Sequence, residues 1–220
     1  MSESIIIQWP ASPAGKDDRE LVLLFHGVGS SAQALKLLGA HVAQAMPQAV
    51  VVSVASPHPS ALGSGHEWFS VLGITEANRP ERIAAALPAF AQTVAHWQRE
   101  AGSTPARTTL IGFSQGAIMA LASSLLMPML ARTVVSIAGR FAAVPTQASA
   151  AQRLHFIHGE QDQVIPASHS VTAASALAAL GTRTTLDVLH RLGHGIDERV
   201  ALLLVRHLAS DQAQGHPLPA

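Results

Sequence analysis

Ser114 lies in the pentapeptide Gly112-Phe-Ser-Gln-Gly116, which fits the pattern G-x-S-x-G. An apolar run at residues 108–113 leads into it, and an apolar helical pattern follows at once. A serine between a strand and a helix sits on a sharp turn, where flanking glycines let the neighbouring backbone approach closely. The first N–H groups of the helix face any negative charge that develops there. The pattern therefore predicts a nucleophilic serine suited to acyl transfer.

A serine hydroxyl needs a neighbouring base, normally a histidine that a carboxylate orients. In α/β-hydrolases the acid and then the histidine follow the serine in the chain. His194 lies between two glycines after the last strand pattern and is the predicted base, while His190 at the end of that strand is the alternative. Apart from His26 in an early turn, the other histidines are expected to be surface or structural residues.

The predicted acid is Asp162, which follows the strand pattern at residues 154–158. It occupies a loop at the carboxyl end of a strand, where ligands bind in open α/β sheets. Glu160 on the same turn is the nearest alternative, and the sequence leaves it open. Asp187 lies inside a strand pattern, which favours a structural or exposed role.

The turn His26-Gly-Val-Gly29 also follows an apolar strand pattern and precedes a helix. Acyl transfer develops an oxyanion that needs two preorganised N–H donors, one of them directly after the nucleophile. The backbone N–H groups of Gln115 and Val28 are therefore the predicted oxyanion donors.

The segment at residues 56–78 is long, rich in Pro, Gly and Ser, and carries several apolar side chains. Loops of this length in a compact domain are often lids or binding loops. Trp68, Phe69, Leu72 and Ile74 are the candidate substrate contacts. Anchoring of the loop in the core is an equally consistent interpretation of these four residues.

Short apolar runs alternate with helical patterns along the whole chain. Strands are predicted at residues 5–9, 21–25, 50–54, 108–113, 133–137, 154–158 and 184–189, and helices at residues 31–45, 79–100, 115–126, 167–180 and 196–208. The alternation predicts an α/β fold with a mainly parallel sheet that helices cover on both faces. With the serine motif, this indicates a single α/β-hydrolase domain at residues 1–210, followed by a flexible tail at residues 211–220.

Composition excludes several classes of function. Hydrophobic residues make up 48% of the 220 residues, and 14 basic residues balance 14 acidic ones, so nothing marks a nucleic-acid-binding protein. The absence of cysteine excludes disulfides, thiolate metal sites and a cysteine nucleophile. No histidine pair has metal-binding spacing, so neither a metal nor another cofactor is expected. The N-terminus does not resemble a signal peptide and no apolar stretch predicts membrane insertion, which favours a cytoplasmic protein.

Taken together, these motifs resemble those of the phospholipase/carboxylesterase family, which includes the acyl-protein thioesterases, and most closely its small bacterial esterases. The matching segments appear in the family's order at residues 23–29, 67–79, 110–121, 158–166 and 193–196. The resemblance implies Ser114, Asp162 and His194 as the catalytic triad, and a position for the Trp68 loop beside the acyl pocket. The thioesterase branch usually has an aspartate at the position of Ser70, so the resemblance does not by itself extend that branch's substrate preference to this chain.

The leading hypothesis is a serine carboxylesterase that hydrolyses acyl esters through an acyl-enzyme, with a small-molecule acyl ester or thioester as the expected substrate. An acyl-protein thioesterase or a lysophospholipase would use the same site, and a non-catalytic binding module on the same fold is a further alternative. Exposed apolar residues in the loop or the last helices would allow a homodimer.

Overall fold

The computed structural model describes residues 3–11 and 19–215. The strands within them are β1 (Ile5–Gln8), β2 (Leu21–Phe25), β3 (Val50–Val54), β4 (His58–Pro59), β5 (His66–Glu67), β6 (Thr108–Phe113), β7 (Thr133–Ile137), β8 (Arg153–Gly159) and β9 (Arg183–Leu189). The α-helices are α1 (Lys36–Ala45), α2 (Arg79–Ala101), α3 (Gln115–Leu126), α4 (Ser168–Ala179) and α5 (Glu198–Gly215). Every strand and helix that the sequence predicts is present. Most bounds agree with the prediction and most of the others differ by one or two residues, but α1 begins five residues late, after a 3₁₀ turn at Ala32–Leu35, and α5 ends seven residues late.

The main sheet has seven strands in the order β1-β3-β2-β6-β7-β8-β9. Only β1 is antiparallel to its neighbour, and the remaining pairs are parallel. In the middle of the sheet Leu23 lies between Val52 and Leu110. The predicted α/β-hydrolase fold, a mainly parallel sheet in one domain, is confirmed.

Each central strand is buried on both faces, because helices cover both sides of the sheet. In β2, Leu23 and Phe25 pack in the core beneath α2, α3 and α4, whereas Val22 and Leu24 pack in the core beneath α1 and α5. This alternation follows from the two-residue period of a strand. Because both faces of these strands are covered, apolar residues occur at successive positions along them.

The C-terminal segment differs from the prediction. Helix α5 continues through Gly215, so residues 211–215 are helical, and the remainder of the predicted tail lies outside the described residues. The reason is a buried polar anchor at Asp211, which accepts a hydrogen bond from Thr133 at 2.9 Å. Asp211 also pairs with Arg153 and His155 on β8, which ties the last turns of the helix to the sheet.

Candidate active site

Ser114 occupies the turn between β6 and α3 in a strained conformation, with φ 52° and ψ −115°. A non-glycine residue in such a region costs on the order of 1–3 kcal/mol, which the surroundings must offset. Its N–H donates to the carbonyl of Ile137 at 2.9 Å. A Cβ atom on Gly116 would lie 2.2 Å from the carbonyl oxygen of Phe25, and one on Gly112 would lie 2.3 Å from the Ala117 backbone. The two glycines of the motif are therefore required by close backbone contacts.

His194, in the loop between β9 and α5, reaches the serine. Its Nε2 atom lies 2.9 Å from Ser114 Oγ, and its Nδ1 atom lies 2.7 Å from Asp162 Oδ2. The ring of Phe113 packs on the imidazole with a centroid distance of 5.1 Å. A carboxylate only accepts hydrogen bonds, so Nδ1 carries the proton and Nε2 is free to accept from the serine hydroxyl.

Asp162 lies in the loop after β8 with its side chain fully buried. Its Oδ1 atom accepts the backbone N–H groups of Val164 at 2.8 Å and Ile165 at 2.9 Å. Burial alone would raise the pKa of Asp162, but the hydrogen bonds from His194 and from these two amides outweigh it and leave the pKa below its ordinary value. The group is thus a carboxylate at neutral pH.

The alternatives weighed from the sequence lie elsewhere. Glu160 and His190 contact each other, with Oε2 and Nδ1 2.5 Å apart, in a pair that is largely exposed. Asp187 accepts a hydrogen bond from His207 at 2.6 Å and pairs with Arg206 on α5. The structure therefore brings Ser114 together with the favoured acid and histidine and not with these residues.

The turn after β2 lies against the serine, since a Cβ atom on Gly27 would be 3.3 Å from Ser114 Cβ. Val28, whose N–H is a predicted oxyanion donor, follows directly in the chain. The other predicted donor, Gln115, is the first residue of α3, and the first amides of a helix have no acceptor within it. Both amides are therefore near the serine.

His26 fixes the orientation of this turn. Its Nε2 atom accepts the N–H of Ser56 at 3.2 Å, so its Nδ1–H donates to the carbonyl of Gly27 at 2.8 Å. Burial lowers the pKa of His26, although the Gly27 carbonyl opposes the change. In a trans peptide the N–H points opposite to the C=O, so holding the Gly27 carbonyl also directs the N–H of Val28.

The 56–78 segment is attached to the site through Trp68. The side chain of Gln115 accepts the Trp68 N–H at 2.8 Å and donates to the carbonyl of Phe69 at 2.6 Å. The indole N–H of Trp68 donates to the carbonyl of His26 at 2.8 Å. The sequence indicates a role only for the backbone N–H of Gln115, because nothing in the motif shows what its side chain contacts.

The four candidate substrate contacts have different environments. Trp68 and Phe69 are 5% and 7% exposed and belong to the core, where the indole packs edge-on against Phe25. Ile74 packs partly buried against the same core, whereas Leu72 is 56% exposed. Burial favours an anchoring role for the two aromatic residues.

The segment at residues 140–147 follows β7, whose last carbonyl accepts the Ser114 N–H. It borders an apolar cavity of about 270 Å³ against α2 and α3, and a mixed cavity of about 330 Å³ against the start of α4. Arg140 and His169 line the second cavity, and Arg140 pairs with Glu76 of the 56–78 segment at 2.7 Å.

Residues 3–11 and 19–215 lack two kinds of feature. No group of three or more histidine or acidic residues there could hold a metal ion. No helix in this part of the chain is long and apolar enough to cross a membrane.

Known proteins are similar to this chain in sequence and in fold. The family model described as phospholipase/carboxylesterase matches residues 10–210. Esterase YpfH of Escherichia coli (strain K12) is 44% identical over 206 residues, covering 94% of this chain and 87% of that protein. The crystal structure of esterase PE8 matches with a TM-score of 0.79 and 30% identity over 88% of this chain and 93% of that one. The Bacillus cereus carboxylesterase, with a TM-score of 0.76 and 19% identity over 97% of this chain and 95% of that one, supports the fold alone.

Proposed function

The chain belongs to the phospholipase/carboxylesterase family and is a hydrolase of carboxylic esters, and we propose that it works as a serine carboxylesterase. In this proposal Ser114 is the nucleophile, His194 is the general base and acid, and Asp162 orients the histidine. The observation that carries it is the continuous line of hydrogen bonds from Ser114 Oγ through His194 to Asp162.

Acylation begins when Ser114 Oγ attacks the ester carbonyl carbon and its proton moves to Nε2 of His194. Asp162, already ionised and held by two backbone amides, stabilises the resulting imidazolium. The tetrahedral intermediate then collapses, the bond to the leaving oxygen breaks, and the imidazolium returns the proton to that oxygen. The alcohol leaves, and the acyl group remains on the serine as an ester.

Deacylation repeats these steps with water. The water gives a proton to His194 as it attacks the acyl carbon, and the proton then goes to Ser114 Oγ as the carboxylic acid leaves. In both tetrahedral intermediates the N–H groups of Val28 and Gln115 stabilise the oxyanion. Removing a single donor of this kind lowers kcat by a factor of about 10²–10³.

The proposed substrate is a small acyl ester, in keeping with the esterases among the relatives. We assign the parts of the ester that do not react to the cavities beside residues 140–147, a segment that follows the strand whose last carbonyl accepts the Ser114 N–H. A series of p-nitrophenyl esters and matched acyl thioesters of increasing chain length separates this proposal from a thioesterase, since long thioesters should not be preferred.

Hydrolysis of p-nitrophenyl butyrate by purified Ser114→Ala tests the nucleophile. Activity should fall to the background rate, whereas Ser64→Ala, which changes an exposed loop serine, should retain wild-type activity. More than a few per cent of wild-type activity in folded Ser114→Ala would contradict the proposal.

A further inference from the structure

A second histidine contacts Asp162 in the interior. His158 lies near the end of β8, and its Nε2 atom is 3.2 Å from Asp162 Oδ2, with both side chains fully buried. The same Oδ2 atom accepts the Nδ1–H of His194 at 2.7 Å. One carboxylate oxygen is thus shared by two imidazole rings, of which only His194 contacts Ser114.

The partners of His158 determine which nitrogen carries its proton. Nε2 lies 2.8 Å from the carbonyl of Ile165 and also faces Asp162 Oδ2, and both of these atoms only accept hydrogen bonds. Nε2 is therefore protonated. Nδ1 lies 2.7 Å from Ser170 Oγ, so it accepts the serine hydroxyl proton.

Burial lowers the pKa of His158, and the opposing effects of the Ile165 carbonyl and Asp162 are smaller, so the ring is neutral. Other titratable groups that face it are His194, from the loop before α5, and His169, from the first turn of α4. A neutral ring with one N–H can act as a fixed donor without adding a charge to the site.

We propose that His158 is a positioning residue for ester hydrolysis, whose Nε2–H holds Asp162 Oδ2 in line with Nδ1 of His194. This inference rests on the proposed function, because it assigns His158 a role only if Asp162 and His194 act on Ser114.

Without His158, Asp162 is still held on one oxygen. Val164 and Ile165 donate to Oδ1, but coupled rotations about the two side-chain bonds can still pivot the carboxylate about Oδ1 and move Oδ2. The Nε2–H of His158 donates to the Ile165 carbonyl at 2.8 Å, and the same Nε2 atom lies 3.2 Å from Oδ2, so this nitrogen contacts both the second oxygen and the loop that carries it. Small displacements of an orienting group cost up to about 100-fold in rate.

His158 also shares the charge on Oδ2. Its N–H neutralises part of the carboxylate charge, and without it that charge would act on His194 alone. We therefore expect the acid limb of the pH profile of kcat/KM to lie at higher pH when His158 is replaced by a residue without this donor.

Two variants with amide side chains distinguish the role of Nε2 of His158 from that of Nδ1. In His158→Gln the side-chain amide reaches the position of Nε2 and keeps a donor for Asp162, whereas in His158→Asn it reaches only the position of Nδ1. We expect His158→Asn to lower kcat about 10- to 100-fold with KM unchanged and to shift the acid limb upward. We expect His158→Gln to retain kcat within about threefold, with the acid limb unmoved.

Ser170→Ala controls for a purely structural role, because it removes the partner of Nδ1 and leaves the Nε2–H in place. It should lower the melting temperature without changing kcat or the acid limb. Equal kcat values and equal acid limbs for folded His158→Asn and His158→Gln would overturn the inference. If Ser114→Ala proved active, the proposed function itself would fail, which is a distinct result.

A measurement on the wild-type protein keeps the inference testable even if the variants do not fold. The ¹⁵N chemical shifts of labelled histidine distinguish the two neutral tautomers. His158 should be protonated on Nε2, and a proton on Nδ1 would overturn the inference.

Discussion

Asp162→Asn replaces one carboxylate oxygen with an NH₂ group. The surrounding hydrogen bonds determine whether this group takes the position of Oδ1 or of Oδ2. Oδ1 accepts the backbone N–H groups of Val164 and Ile165. An NH₂ group at that position would face two donors and leave them unbonded, at a cost of about 1–3 kcal/mol each. At the Oδ2 position His194 can change its tautomer and His158 keeps its hydrogen bond to the Ile165 carbonyl, so few hydrogen bonds are lost there. The amide oxygen therefore keeps the Oδ1 position, and the NH₂ group takes the Oδ2 position, opposite His194.

In that position the NH₂ group donates to Nδ1 of His194, so the imidazole must carry its proton on Nε2. Nε2 lies 2.9 Å from Ser114 Oγ and would then be a donor that cannot accept the serine proton. A wrong tautomer of this kind lowers kcat by on the order of 10³- to 10⁴-fold, which corresponds to about 4–5.5 kcal/mol in the activation free energy.

The assay is the kcat for p-nitrophenyl butyrate, with circular dichroism to establish that the variant is folded. Glu160→Gln is the matched control, because Glu160 lies two residues away on the same loop and pairs at the surface with His190. The control should stay within about twofold of wild type. A folded Asp162→Asn variant that keeps more than a tenth of the wild-type kcat would refute the reasoning. An equally large loss of kcat in Glu160→Gln would also refute it.

Two further predictions concern stability. Gly116→Ala should unfold at a markedly lower temperature in a thermal melt, because the new Cβ would lie 2.2 Å from the Phe25 carbonyl oxygen, and an unchanged melting temperature would contradict this contact. Burial would raise the pKa of Asp211, but the hydrogen bonds from His155 and Thr133 outweigh it and the pKa is lowered. A carboxyl group with a lowered folded-state pKa stabilises the fold above its ordinary pKa of about 3.9, and this contribution is lost as pH falls. In urea titrations the free energy of unfolding of Asp211→Asn should therefore be lower than that of wild type by about 3 kcal/mol near neutral pH, and the difference should shrink below about pH 4. A difference that does not depend on pH would contradict this role of Asp211.

The fold and the main members of the site could be predicted because they depend on local patterns. Apolar runs of strand length marked the sheet, and Ser114, Asp162 and His194 each follow such a run. The carboxyl ends of parallel strands meet at one edge of a sheet, so residues 80 positions apart in sequence come within hydrogen-bond distance.

The contacts that hold these residues could not be predicted, because they depend on the course of loops. Trp68 in a polar loop is equally consistent with a pocket wall and an anchor, and only its bonds to His26 and Gln115 favour the anchor. The sequence favours an ordinary surface or structural role for His158, since its distance to Asp162 depends on the turn between them.

The C-terminal helix shows the same limitation. The polar residues after 210 resemble a frayed end, and sequence gives no sign that Asp211 has buried partners. Those partners, Thr133 and His155, are 78 and 56 positions away, and a local pattern carries no information about pairing over that separation.

The central claim is that Ser114 is the nucleophile, and a fluorophosphonate probe tests it most directly. The wild-type enzyme should lose activity as it takes up one phosphonyl group, and mass spectrometry of its peptides should locate that group on Ser114. Ser114→Ala should take up none. An active wild-type enzyme that stays unlabelled, or that carries the group on another residue, would contradict the account.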